Sequence, residues 1–237
     1  IEHDCPDDLL RMRIVECRSR CLLKEGRLDI AELNKQMLVA TDPKQIGVFS
    51  GLLARYYLTS GDMVQAAKMA KRVLSIAMKE RLPALECLGL RLLSEVYEDG
   101  GDTKSSVLLL SRASSIPDGA VDDRLDAFHR CSFLLEQDGQ WEEAELALRT
   151  ALSLASRTRL AHAVVRTRSL LFRLLLRRGD PRAAEELRTQ REALSNEGAP
   201  PEIRAIVHED EALFDRQSGR EEQEMESLQS ALCEAQE

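Results

Sequence analysis

Apolar residues recur along this chain at helical spacing, in paired stretches divided by a glycine. Between Asp7 and Lys24 the repeating positions are Leu10, Ile14, Cys17 and Cys21, the spacing of one helix face. Beyond Gly26, Ile30, Leu33, Met37 and Leu38 mark a second stretch. The pattern is clearest from Leu134 to Leu152: a helix ends before Gly139 and another starts near Trp141. The same grammar surrounds Gly26, Gly61, Gly101, Gly179 and Gly219, and successive glycines of the full set lie 35, 40, 38, 40 and 40 residues apart. Self-similarity at such a period predicts stacked supersecondary units.

Local signals agree with that period. Ser60-Gly61-Asp62, Gly101-Asp102 and Gly179-Asp180-Pro181 each place a glycine able to end one helix beside an aspartate able to cap the next. Thr41-Asp42-Pro43 is a restart, with Asp42 as N-cap and Pro43 at the first helical position. Pro83, Pro117 and Pro200-Pro201 fall between units. A small residue follows five positions after each turn glycine, at Ala31, Ala66, Ser106, Ala144 and Ala184, where two antiparallel helices must approach closely. Glu224 breaks the rule in the last unit. The expected fold is all-α: a right-handed α-solenoid of six antiparallel hairpins in one domain, with units near 8–40, 43–80, 83–116, 119–156, 158–196 and 200–237. Its interfaces should bury Leu53, Tyr57, Ala66, Ala70, Leu93, Tyr97, Leu135, Ala144, Leu148, Ala151 and Leu171.

Two stretches carry a family resemblance. Leu53-Ala54 and Tyr57, then Gly61 and Ala66, form one; Gly139-Gln140-Trp141-Glu142-Glu143-Ala144, ending in Ala151-Leu152, forms the other. They resemble tetratricopeptide repeats. The usual first-helix tryptophan is replaced by Ser50, Leu90, Phe128 and Arg168, and the period is near 40 rather than 34 residues. The longer period is similar to the sensor domains of maltose-activator-type bacterial transcription regulators and to kinesin-light-chain adaptors. Ala151-Leu152-Ser153-Leu154-Ala155 leans toward the bacterial group. In the family, first helices line a concave groove at positions thirteen, ten, nine and six before the turn glycine. On this chain the resemblance makes Arg20, Arg55, Arg91, Arg130, Phe133 and Arg173 groove residues. The Asn and Lys set that clamps a terminal carboxylate in chaperone-binding members is absent, so that specificity is not implied.

Composition narrows the function. The chain has 43% hydrophobic but only 4% aromatic residues, which suits helices packed through small and branched aliphatics. No apolar run approaches the roughly 20 residues of a membrane span. The chain begins at Ile1 without a basic-then-apolar leader and reads as part of a longer protein. Cys5, Cys17, Cys21, Cys87, Cys131 and Cys233 are irregularly spaced, so free thiols in a reducing, intracellular compartment are expected. Cys17 and Cys21 lie one helical turn apart, but no second ligand pair follows at finger-like spacing. His3, His129, His162 and His208 pair with no nucleophile, and no phosphate loop, HExxH or GxSxG occurs. The expectation is a protein without catalytic residues, cofactor or metal.

Charge is the remaining clue. The net charge is −8, which weighs against direct nucleic-acid binding. It is unevenly spread: residues 157–191 hold ten arginines against three acids, and residues 192–237 hold thirteen acids against three arginines. One reading is that the arginines pair with the acidic unit beside them. The other is an anion-binding patch. Because arginine grips carboxylates in two places, the leading expectation is a module binding a protein or peptide segment, an acidic one in particular, along a ladder of Arg20, Arg55, Arg91, Arg130 and Arg173. The alternatives are a ligand- or partner-sensing regulatory domain and a structural scaffold. The acidic last unit reads first as a polar cap, and otherwise as an edge that continues into further repeats.

Overall fold

Each turn glycine that the structure describes adopts the left-handed conformation the hairpins require, with φ of 80° at Gly61, 78° at Gly101, 74° at Gly139 and 72° at Gly179 and Gly219. The residue after each glycine donates its N–H back to a carbonyl five positions earlier: Asp62 to Tyr57 at 2.9 Å, Asp102 to Tyr97 at 2.8 Å, Gln140 to Leu135 at 2.8 Å, Asp180 to Leu175 at 2.9 Å and Arg220 to Asp215 at 2.9 Å. This bond closes one helix, and the aspartates open the next. Asp62 accepts from the Gln65 N–H and Asp102 from the Ser105 N–H, both at 3.1 Å.

The computed structural model describes residues 30–194 and 200–236. Gly26, Arg20, Cys5, Cys17, Cys21 and the first predicted helix lie outside the described residues. Among those described are eleven helices and no strand: α1 (Ile30–Val39), α2 (Pro43–Ser60), α3 (Met63–Glu80), α4 (Pro83–Asp99), α5 (Thr103–Ser114), α6 (Val121–Gln137), α7 (Trp141–Arg157), α8 (Ala161–Arg178), α9 (Arg182–Leu194), α10 (Pro201–Gln217) and α11 (Glu221–Gln236). Pro43, Pro83 and Pro201 each open a helix, where their missing N–H costs no hydrogen bond. The chain divides into two compact units, residues 1–127 and 128–237, with the boundary inside α6.

In the first unit α3 packs against α2 and α4, and the first helices α2 and α4 also touch each other. Leu52, Leu53, Ala54, Ala70, Leu92 and Leu93 form the core, continued by Val73, Ala77 and Leu85. Close approach depends on helical glycines. A Cβ on Gly47 would lie 2.5 Å from Leu85 Cδ1, and one on Gly51 would lie 3.0 Å from Leu88 Cδ2. At Gly89 the obstruction is Leu74, with Cγ at 2.8 Å and its backbone nitrogen at 3.2 Å.

The second unit repeats the hairpin plan, with α8 against α7, α9 and α10. Leu148, Ala151, Leu171, Phe172, Leu175 and Val207 are buried. Here, however, charge joins the hairpins. Arg178 of α8 bonds Glu142 of α7 at 2.6 Å, Arg182 of α9 bonds Glu145 of α7 at 2.7 Å, and Arg173 of α8 bonds Asp210 of α10 at 2.7 Å. Arg177 pairs with Glu136, and Arg191 with Glu211. At least seven of the ten arginines in 157–191 have a carboxylate partner (Arg168, Arg173, Arg177, Arg178, Arg182, Arg188 and Arg191). Asp180, half-buried, is pulled down to about 2 by hydrogen bonds from Arg182.

Four packing expectations need correction, the first being Ala31, which is exposed. Ala66, Ser106 and Ala144 are fully buried as expected, but Ala184 is exposed and Ala183 takes its place. The cause is the turn. Ala183 and Ala184 donate three residues back, to Asp180 and Pro181, whereas Ala66 and Ala144 donate four back, to Asp62 and Gln140. The tighter 3₁₀ winding turns about 120° per residue instead of 100°, so the inward face arrives one residue early. Tyr57 is only half-buried and Tyr97 is exposed; both lie in the last turn of a first helix, where an amphipathic ring keeps its hydroxyl in water.

Candidate interaction surface

The first helices carry the sequence-predicted site residues, and within each unit these differ in availability. In the first unit Arg91 is 8% exposed and holds two carboxylates at the start of α6, Asp123 at 3.2 Å and Asp126 at 3.1 Å. Arg55 of α2 is half-buried and engaged. In the second unit Arg130 is likewise half-buried and engaged. Arg173 grips Asp210 and, at 3.0 Å, Glu209. Burial works against the Arg173 charge, and the two carboxylates outweigh it, raising its pKa. His129, next to Arg130, meets Thr167 at 2.8 Å. The Thr167 hydroxyl donates to the Ala163 carbonyl at 2.7 Å, so His129 Nε2 is the donor in that contact.

Register relates these residues. Six positions before the turn glycines stand Arg55 and Glu95 in the first unit, and Phe133, Arg173 and Leu213 in the second. Phe133 is 50% exposed and Leu213 is 37% exposed. A large apolar side chain left in water is more informative than a polar one. The Arg173 pairing also explains two polar residues that sequence reasoning overlooked. Asp210, nine before Gly219, stands where Leu52 and Leu92 stand in their hairpins, and it is fully buried. Gln190, 1% exposed, follows Ala183 and Leu187 at the spacing by which Val73 follows Ala66 and Ala70. Burial pushes the Asp210 carboxyl above its ordinary value, and Arg173, Ser169 and Gln190 partly oppose that. The signal was present in the sequence: Asp210 stands at a register position held by Leu52, Leu92 and Leu170 in other hairpins, though by Arg130 in one, and Gln190 at a position held by Val73, Ala113 and Ala151.

Among the described residues no group of three or more His, Cys, Asp or Glu could hold a metal ion, and no helix is long and apolar enough to cross a membrane. A polar cavity of about 370 Å³ lies beside Arg191, Phe214, Asp215 and Arg220. Both of its arginines are occupied, Arg191 by Glu211 and Arg220 by Asp215 at 3.0 Å and by the Phe214 ring 5.4 Å away. Cys87 is buried and its thiol is pushed up to about 12, chiefly by desolvation and then by Asp123. Such a thiol is inert rather than nucleophilic.

No family model and no curated protein matches the sequence. Solved structures do match. A kinesin-light-chain-type protein from Podosopora anserina with nearly identical TPR-like repeats is 19% identical with a TM-score of 0.63, over 83% of this chain and 97% of that one. BtubC (BKLC) from P. vanneervenii is 16% identical with a TM-score of 0.67, over 94% and 91%. The fold is that of TPR-like helical repeats. MamA shares it more distantly, at 15% identity and a TM-score of 0.51 over 78% of this chain and 95% of that one. At these identities the likeness is one of fold. In TPR-like terms, α2, α4, α6, α8 and α10 are the first helices of their repeats, and α3, α5, α7, α9 and α11 are the second.

Proposed function

We propose that this TPR-like chain is a non-catalytic protein-interaction module that takes a peptide or protein segment along the face of its first helices. The observation that carries the reading is the half-exposed Phe133, with Leu213 at the same register two hairpins on. Aromatic residues of this kind supply most of the binding energy where partners meet. The TPR-like neighbours support the class of function. In this reading Arg130, one helical turn from Phe133, favours a segment with a carboxylate beside its own apolar residue, and Arg55 offers the same chemistry on the first unit's own first-helix face. Arg91 and Arg173 act differently: they hold the acidic side chains of the next first helix and so set the spacing of the surface. The five-arginine ladder thereby becomes two contact residues and two positioning residues, with Arg20 outside the described residues.

The test is to capture partners with the wild-type chain, then measure the affinity of the strongest for the Phe133→Ala variant. A central aromatic anchor is worth about 2 kcal/mol, roughly 30-fold in Kd. Unchanged affinity in that variant, with its thermal midpoint also unchanged, would remove Phe133 and the first-helix face from the proposal.

A further inference from the structure

Helix α3 has a face that nothing among the described residues covers. Its inner residues Ala66, Ala70, Val73 and Ala77 are buried, and its neighbours are α2 and α4. The opposite side carries Val64, Lys68, Lys71, Arg72, Ser75, Met78 and Lys79 at the spacing of a single stripe, all exposed. Arg81 extends it beyond the helix end, held in the left-handed conformation with φ of 54°. Among the described residues Lys68, Lys71, Arg72 and Arg81 have no carboxylate partner, and Lys79 has only its neighbour Glu80 at 3.7 Å. At the two ends of the stripe Val64 is 77% exposed and Met78 is 63% exposed.

Scarcity of acids does not explain this. The chain holds 41 acidic residues against 33 lysines and arginines, and in the second unit the arginines find them. Four cations without a carboxylate partner, and a fifth, Lys79, held only by its sequence neighbour, along one helix and its end in an acid-rich chain make a surface of opposite sign to its surroundings, suited to steering an oppositely charged partner.

We infer that this face of α3 is a second docking surface, separate from the first-helix face, and that its occupant is an acidic amphipathic segment of a protein. From Val64 to Lys79 the stripe runs about 22 Å at 1.5 Å per residue, so a partner helix of about four turns lies along its length. Carboxylates on one side of that helix meet Lys68, Lys71, Arg72 and Lys79, and an aliphatic residue near each end meets Val64 and Met78. A lipid surface fits less well. Interfacial helices insert a continuous apolar face, and that face of α3 is already buried in the core. Single-stranded nucleic acid is bound by cations interleaved with stacking aromatics, and the stripe has none.

The experiment uses the full chain and a fluorescent 16-residue helical peptide bearing glutamates at i, i+4 and i+7 with leucine near each end. The comparisons are its glutamine counterpart, phosphatidylserine vesicles and a 20-nucleotide RNA. Binding of the acidic peptide should weaken as salt rises and fall at least about tenfold for Lys68→Glu/Lys71→Glu/Arg72→Glu. A lysine-bearing peptide should then bind that variant better than it binds the wild type. Because these side chains are exposed, the variant should keep the wild-type circular dichroism and thermal midpoint. The proposal is overturned by equal binding to wild type and variant, by no binding of the acidic peptide, by preference for vesicles or RNA, or by a concentration-dependent dimer that the charge reversal abolishes. Phe133→Ala should leave the peptide affinity unchanged, which separates this surface from the one proposed above.

Discussion

The two compact units build the same hairpins and join them by the same two kinds of contact in different proportions. Before residue 128, leucines of one helix seat against glycines of another, Leu85 on Gly47, Leu88 on Gly51 and Leu74 on Gly89, and inter-helix ion pairs are fewer among the described residues, Arg91 with Asp123 and Asp126 and Arg112 with Glu86. After it, arginines reach carboxylates on neighbouring helices, and the deepest pair, Arg173 with Asp210, replaces an aliphatic contact outright. Turn and cap chemistry therefore decides that a hairpin forms, while the means of docking successive hairpins is free to vary. The apolar joint tolerates changes of salt and pH but not of volume. The ionic joint should show the reverse.

The largest expected effect breaks the ionic joint. Arg173→Met leaves a fully buried carboxylate without its partner and should cost about 3 kcal/mol of stability at neutral pH, read as a shift in denaturation midpoint at constant slope. Adding Asp210→Leu restores the residue type found at Leu52 and Leu92 and should recover most of that loss, since aliphatic replacements of buried pairs are often neutral or better. A double variant as unstable as the single would mean the pair is not what joins α8 to α10.

Next in size is Ala144→Leu, at a site fully buried in the first turn of α7, expected to cost ~1–3 kcal/mol by overpacking. The equivalent Ala184→Leu should change little, because the tightened turn puts Ala183 inward instead. Equal losses at the two sites would contradict the register assigned to α9.

Gly89→Ala sharpens the apolar side. Helix propensity favours alanine by about 1 kcal/mol, but the new methyl meets Leu74 close to its backbone, so overpacking should win by about 1 kcal/mol. At Gly51 the obstruction is the mobile end of Leu88 alone, and alanine there should be neutral or stabilising. The smallest effect leaves stability untouched. In native buffer a thiol reagent should label exposed Cys233 quickly and buried Cys87 and Cys131 slowly, as peptide mapping by mass spectrometry would show.

The hairpins were legible because their signals are local. A glycine, a capping aspartate and an apolar period act within a few residues, so Gly61, Gly101, Gly139, Gly179 and Gly219 could be placed from sequence alone. The Ala183 shift was not legible, because it depends on how Pro181 and its neighbours wind the first turn of α9. The pairing of Arg91 and Arg173 was harder still. An arginine reads identically whether it faces a partner or a carboxylate some 35 residues away, and only packing distinguishes the two. Seven arginines of residues 157–191 do meet carboxylates, but of these only Arg173, Arg188 and Arg191 meet the acidic stretch 192–237; Arg168, Arg177, Arg178 and Arg182 reach acids between residues 136 and 186. The first-helix face itself was indicated by Phe133, whose register said outward while its chemistry said inward.

The central claim, that the α8–α10 joint of the second unit rests on charge and the α3–α4 joint of the first on shape, is tested most directly by the pH dependence of two variants. The folded-state pKa of Asp210 lies above its ordinary 3.8. The stability tied to that group is fully present below about 3.8 and is lost as pH rises through the folded value. Arg173 limits the loss, so removing it should hurt most at high pH. The destabilisation of Arg173→Met, measured by urea unfolding from pH 7 down to 3.5, should shrink markedly, while that of Gly89→Ala stays constant. A constant penalty for Arg173→Met, or two penalties that move together, would contradict the account.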